Sequence, residues 1–233
     1  DDNAGRAAGQ LSRRAGPLSE RKRVAVLISG RGSNMEALIR AAKAPDYPAE
    51  IALVLSDNPD AKGLETARQD GIPARAISRA SHGSKHAHEQ AIQEALAEAG
   101  IEIVCLAGFM RLLSAQFLEP WKGRIINIHP SLLPKHRGLD THRRVLAARD
   151  SLHGATVHFV TERLDAGPRI IQYRLPVREQ DTPETLAERV HRGEHVILPR
   201  AVAWLLAGRL ELRGNDVLLD GQRLTGPVIV EDD

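Results

Sequence analysis

The chain of 233 residues has one cysteine, few aromatics and no surplus of either charge, and each shortage excludes something. Cys105 alone cannot form an internal disulfide. It lies in the apolar run IEIVCLAGF, where a thiol packs as a small hydrophobe. Aromatic residues make up 3% of the chain, so the core must be built from Leu, Ile, Val and Ala. Lys plus Arg number 32 against 30 for Asp plus Glu, which speaks against a dedicated nucleic-acid binder with a clustered basic surplus. A small anionic ligand needs only a local site, so net charge is silent on that. No apolar run approaches the roughly 18 residues of a membrane-spanning helix. A soluble, cytoplasmic protein without membrane or nucleic-acid partners is the expectation.

What the chain does have is alternation. Residues 1–22, DDNAGRAAGQLSRRAGPLSERK, hold almost no large apolar side chain, so a disordered extension is expected there, without the apolar stretch of a secretory signal. From Arg23 onward, short apolar runs alternate with amphipathic stretches. The runs are VAVLIS (24–29), EIALVLSD (50–57), IEIVCLAG (101–108) and RIINIH (124–129). In HAHEQAIQEALAEAG, Ala91, Ile92, Ala95, Leu96 and Ala99 share one helical face, and Gly100 stands where a C-cap belongs. ARAIS is a weaker strand, and a short helix is expected around residues 114–121. Such alternation predicts an α/β fold, a mostly parallel twisted sheet with helices on both faces.

Beyond residue 150 the texture changes. GATVHFVT (154–161) and RIIQYRLPV (169–177) alternate more and read as antiparallel additions to the sheet. TPETLAERVHRGEHVILPRAVAWLLAG (182–208) reads as a long helix, with Thr182 as N-cap, Pro183 at the first position and Glu184 in the first turn. Thr185 occupies the place where a full capping box has Glu or Gln, so that start signal is incomplete. Gly193 and Pro199 predict a kink or break. LELRGNDVLLDGQRL predicts a hairpin or edge strands. The expected organisation is an extension over 1–22, a single domain over 23–224 and a tail over 225–233.

Several motifs carry chemistry. SGRGSN (29–34) joins the first strand to the first helix, where glycines allow a tight turn and free N–H groups receive an anion. Ser33 and Asn34 add donors. Met35 stands where the dinucleotide fingerprint asks for a third Gly, which favours a phosphate monoester over a pyrophosphate; a plain strand–helix turn would read the same. HRGEH (191–195) matches an inverted zinc-protease signature, yet Gly193 lies inside it and a further ligand is needed, so Glu194 facing solvent or a substrate hydroxyl is the more ordinary reading. His86 and His88 are two apart on a helix and diverge. His153 and His158 flank a strand, where one buried, hydrogen-bonded His is usual. Asn127 and His129, two apart on a strand, share one face just before the PSLLP loop, at the carboxyl end where open α/β sheets bind ligands. Phe109 and Met110 in GFMRLLS (108–114) offer an apolar surface for a flat ring, and Asp165 in ERLDAGPRI could fix and charge His129.

Together VLISGRGSN, LAGFMRLLS, INIHPSLLPKHRGLDTHR, HGATVHFVTERLDAGPRIIQ and DGQRL resemble the phosphoribosylglycinamide formyltransferases, folate-dependent enzymes of purine synthesis. The likeness runs from about Arg23 to Leu224. NIHPSLLP with a downstream LDAGP is shared by the wider formyltransferase group, while SGRGSN and THRR point to this family.

The resemblance implies a Rossmann-like fold whose amino-terminal half binds a ribonucleotide phosphate, with a folate cleft completed by the carboxyl-terminal part. It implies that Gly32, Ser33 and Asn34 hold the phosphate and Glu194 the ribose hydroxyls. Lys85, Phe109, Met110, Arg111, Leu112, Leu113 and Asn127 would line the folate site, with backbone groups of residues 161–165 reading the pterin. Asn127, His129 and Asp165 would be catalytic. The co-substrate would be 10-formyltetrahydrofolate, without a metal. Lys85 replaces an Arg of some members, losing a planar fork, and Asp140 replaces a His. A methionyl-tRNA formyltransferase, expected to carry a basic carboxyl-terminal domain, and a formyltetrahydrofolate hydrolase, expected to carry an amino-terminal regulatory domain, share the chemistry. A non-catalytic nucleotide-binding regulator or a nicotinamide oxidoreductase would share only the sheet. Monomer and homodimer stay open.

Overall fold

A computed structural model describes residues 21–232. The chain first runs through β1 (Lys22–Ile28), α1 (Ser33–Ala42), β2 (Ala49–Ser56), α2 (Lys62–Gln69), β3 (Ala74–Ala76), α3 (Lys85–Glu98), β4 (Ile103–Leu106), α4 (Ala115–Leu118) and β5 (Ile125–His129). It continues through α5 (Thr141–Ala148), β6 (Leu152–Phe159), β7 (Arg169–Pro176), α6 (Pro183–Leu206), β8 (Leu210–Arg213), β9 (Asp216–Leu219), β10 (Gln222–Arg223) and β11 (Val228–Glu231). Eight strands form one sheet in the order β11-β7-β6-β5-β4-β1-β2-β3, and β8, β9 and β10 form a small antiparallel sheet. Of the eight, β6 alone runs against both its neighbours, β5 and β7.

Residues 1–20 of the expected extension lie outside the described residues, and its last two belong to the fold. Arg21 donates to the carbonyls of Ala42 and Ala44, and Lys22 opens β1. The expected tail is likewise part of the sheet, because β11 pairs in parallel with β7.

β1 shows why the apolar runs are continuous. Val24, Val26 and Ile28 face the helical layer that includes α1 and α6, whereas Ala25 and Leu27 face α3 and α4. Cys105 is fully buried in the first layer, and burial pushes its thiol up to about 12, so it stays protonated. After β1 the chain builds outward to β2 and β3, then returns to β4 on β1's other side. That reversal sets a crevice beyond the carboxyl ends of β1 and β4.

α6 departs from expectation twice. Its capping box is complete: Thr185 N donates to Thr182 Oγ1 at 3.2 Å, and Thr182 N donates to Thr185 Oγ1 at 2.9 Å. A threonine hydroxyl accepts as a Glu or Gln carbonyl oxygen would. The helix also runs through Gly193 and Pro199 without a break. Gly193 is a packing device, since a Cβ there would lie 2.1 Å from Tyr173 Cδ1 on β7.

Candidate active site

Three loops at the strand ends meet around this crevice. After β1, Gly32 adopts φ 77° and caps α1 without any side-chain cap, leaving the first-turn N–H groups of the helix open. Asn34 is buried, and its Oδ1 has no partner among the described residues. Gly32, Ser33 and Asn34 form the cap and first residues of α1.

After β4, residues 107–113 form the second loop. Met110 is 64% exposed and Leu112 52%, while Leu113 is buried and Phe109 is half-buried against the core. The apolar surface expected from both Phe109 and Met110 is thus supplied by Met110 and Leu112. A cavity of about 340 Å³ lies here, lined by Arg79, Lys85, His88, Glu89, Met110, Arg111, Leu112 and Leu113. Lys85 Nζ is 3.9 Å from Glu89 Oε1. A larger cavity, about 690 Å³, lies between residues 161–169 and the carboxyl-terminal strands, and Asn127, His129 and Asp165 do not line it. Nor do those three line the smaller cavity, which is formed instead by the loop after β4 and the start of α3.

The third group gathers at the end of β5. Asn127 pairs in register with Leu106 of β4 and His158 of β6, and His129 with Thr156. His129 is buried; its Nε2 donates to His136 O at 2.9 Å, and its Nδ1 lies 3.4 Å from Asp165 Oδ2. Asp165 arrives from the turn between β6 and β7, and its Oδ2 also accepts from Gly138 N at 2.8 Å. Its Oδ1 is 4.0 Å from His158 Nε2.

His158 was not singled out from the sequence, and it belongs to this cluster. Its Nδ1 is 2.8 Å from Phe159 O, and a carbonyl only accepts, so the bond pattern assigns the proton to Nδ1. Burial lowers its affinity for a second proton. Nε2 is then a free acceptor, and Asn127 Nδ2 donates to it at 3.3 Å. That fixes the carboxamide's orientation and leaves its second N–H for another acceptor.

On α6, the Glu194 carboxylate is buried, and His191 Nδ1 donates to its Oε2 at 2.5 Å, which raises the imidazole's affinity for a proton. The two ends of HRGEH do different things: His191 is committed to Glu194, and burial lowers His195. His86 is exposed, while the His88 imidazole is buried 2.6 Å from Ile77 O, so they diverge as expected. Asp140 sits at φ 55° as the N-cap of α5 without a side-chain cap bond. Among the described residues no group of three or more His, Cys, Asp or Glu is arranged to hold a metal.

Fold and site together define an open, doubly wound α/β protein whose functional groups converge at the carboxyl edge of its parallel strands. The chain belongs to the formyl transferase family, whose model matches residues 22–202. It is 43% identical over 201 residues to the Escherichia coli phosphoribosylglycinamide formyltransferase, covering 86% of this chain and 95% of that one. A phosphoribosylglycinamide formyltransferase structure from Coxiella burnetii superposes with a TM-score of 0.86 at 45% identity, covering 90% of this chain and 100% of the other. A Gallus gallus trifunctional purine biosynthetic protein is 46% identical over 82% of this chain, which spans only 19% of that relative's length.

Proposed function

We propose that this chain transfers the formyl group of 10-formyltetrahydrofolate to the amine of N1-(5-phosphoribosyl)glycinamide in purine biosynthesis, as a cytoplasmic enzyme. One observation carries the reading: an oriented carboxamide and a carboxylate-paired imidazole stand together at the end of β5. The flanking loops suit the two substrates. The open first turn of α1 with Ser33 and Asn34 suits a phosphate monoester, and Glu194 suits ribose hydroxyls. Met110, Leu112 and Lys85 suit a flat ring with an anionic tail.

Attack of the amine on the formyl carbon turns the carbonyl oxygen negative in a tetrahedral intermediate. The second N–H of Asn127 is a donor for that oxygen. Both nitrogens of His129 face oxygen acceptors, an arrangement satisfied when both carry protons. The 3.4 Å contact to Asp165 is the looser, so the Nδ1 proton is the one that a developing oxyanion placed beside it can share. Asp165 holds the imidazolium in place and assists removal of the proton from the attacking amine. His158 keeps Asn127 in register.

A spectrophotometric assay with 10-formyltetrahydrofolate and glycinamide ribonucleotide tests this. Turnover requiring both substrates is expected. Formyl release to water without the nucleotide, or transfer to charged initiator tRNA instead, would reassign the chain within its family. The hydrolase alternative has its own relative, a Pseudomonas syringae formyltetrahydrofolate deformylase at 25% identity.

A further inference from the structure

The two substrate loops are tied to one buried carboxylate. Asp57 follows β2, and its side chain is 7% exposed. Its Oδ1 accepts from Ser29 Oγ at 2.5 Å, and its Oδ2 accepts from Arg111 Nε at 2.9 Å. Ser29 Oγ in turn accepts from Met110 N at 2.8 Å, and Asn58 Nδ2 donates to Ser29 O at 3.3 Å. Ser29 leads into the glycine loop, and Met110 and Arg111 open the apolar loop. Each loop therefore touches the other directly, through Ser29 and Met110, and again through Asp57.

The far end of the apolar loop is held separately. Glu89, also buried, accepts from Ser114 N at 2.8 Å and from the Ser114 hydroxyl. Only the Asp57 end is shared with the phosphate loop.

The Arg111 side chain, 48% exposed, is the solvent-facing partner in this circuit, whereas Asp57 is buried. With Arg111 away, a buried carboxylate keeps one hydroxyl and loses its cation, which is unfavourable. A ligand that orders the glycine loop holds Ser29 in place. Ser29 then presents its proton to Asp57 and its lone pair to Met110 N–H, so the apolar loop is preformed for its own ligand.

We propose that Asp57 is a positioning residue that couples the two substrate sites: occupation of the phosphate loop at residues 30–34 tightens binding at residues 110–113, and the reverse. This rests on the functional reading above. Coupling of this kind is reciprocal for binding free energies.

Calorimetry with tetrahydrofolate, which has no formyl group to transfer, measures the donor-site affinity with and without saturating glycinamide ribonucleotide. In the unmodified chain the nucleotide should tighten tetrahydrofolate binding by about fivefold or more. Asp57→Asn keeps an acceptor for Ser29 and removes the charge facing Arg111. With circular dichroism unchanged, its tetrahydrofolate affinity should no longer respond to the nucleotide. A merely structural role would weaken both ligands or lower the melting temperature and leave the response intact. Should Asp57→Asn fail to fold, Ser29→Ala, which leaves the Asp57–Arg111 pair in place, decides in its stead. A persistent response in the folded variant overturns the inference, and so does its absence in the unmodified chain. If neither ligand binds the unmodified chain, the functional reading falls and this one with it.

Discussion

Asp165 holds φ 48°, a left-handed conformation that a non-glycine residue adopts at a cost. What holds it there is its own carboxylate, which accepts from Gly138 N and faces His129. Asp165→Asn keeps the shape and removes the negative charge that stands 3.4 Å from His129 Nδ1. We expect turnover to fall by about 10²–10⁴-fold, with circular dichroism unchanged. A folded variant with the parent's kcat would contradict the assignment. Asn127→Ala removes one oxyanion donor and should lower kcat by about 10²–10³-fold while leaving substrate affinities near the parent's, a split that steady-state kinetics resolves. At this scale the sequence was partly readable. Asn127 and His129 stood out because two polar side chains on one face of an apolar strand need a reason. His158 and Asp57 did not, because each acts through a partner far along the chain. Antiparallel register brings His158 opposite Asn127, and parallel pairing brings the end of β2 beside Ser29. Neither register is written in local spacing.

Between elements, the tightest fit is α6 on β7. At Gly193 two effects of opposite sign compete. Gly193→Ala improves helix propensity by about 1 kcal/mol, but the added methyl group meets the Tyr173 ring, whose hydroxyl is bonded to Asp232 Oδ1 at 2.6 Å. A tethered ring cannot turn aside freely, so overpacking should win, with a net loss on the order of 1 kcal/mol in urea unfolding. Equal or greater stability would mean the ring moves without penalty. At the other end of α6, Thr182→Ala should cost about 1 kcal/mol by releasing the N–H of Thr185. Elements were legible where burial is two-sided: β1, β2 and β4 read as continuous apolar runs, and β5 as such a run interrupted only by Asn127 and His129. β11 was not, because as an edge strand paired only with β7 it buries little, and its VIVE alternates half-buried with exposed residues. The unbroken course of α6 was missed because Gly193 reads as a weakness until the ring it accommodates is known.

Across the whole molecule, acid should loosen the fold before it charges the buried histidines. His153 is pushed down to about 3, first by burial and then by neighbouring His142, whose Nδ1 is 3.0 Å from its Nε2. Burial lowers His142 and His158 as well. In the unfolded chain each would take a proton near its ordinary value of 6.5. Between there and about 3 the unfolded state therefore binds a proton that folded His153 refuses, so stability falls as pH falls, by up to about 1.4 kcal/mol per pH unit for each such group. The stabilisation is fully present above 6.5. His191 works with the opposite sign. Its hydrogen bond to Glu194 raises its proton affinity, so that pairing helps most below 6.5 and fades as pH rises. Because the His191 side chain is half-exposed, solvent screens it, and the buried imidazoles should dominate. Urea midpoints should accordingly drop between about pH 7 and pH 5. His153→Asn, which cannot take up the proton, should show a shallower drop over the same interval. Parallel pH profiles for the two chains would mean that the acid sensitivity resides elsewhere, with His142 and His158, which burial also lowers from 6.5, as the next groups to test.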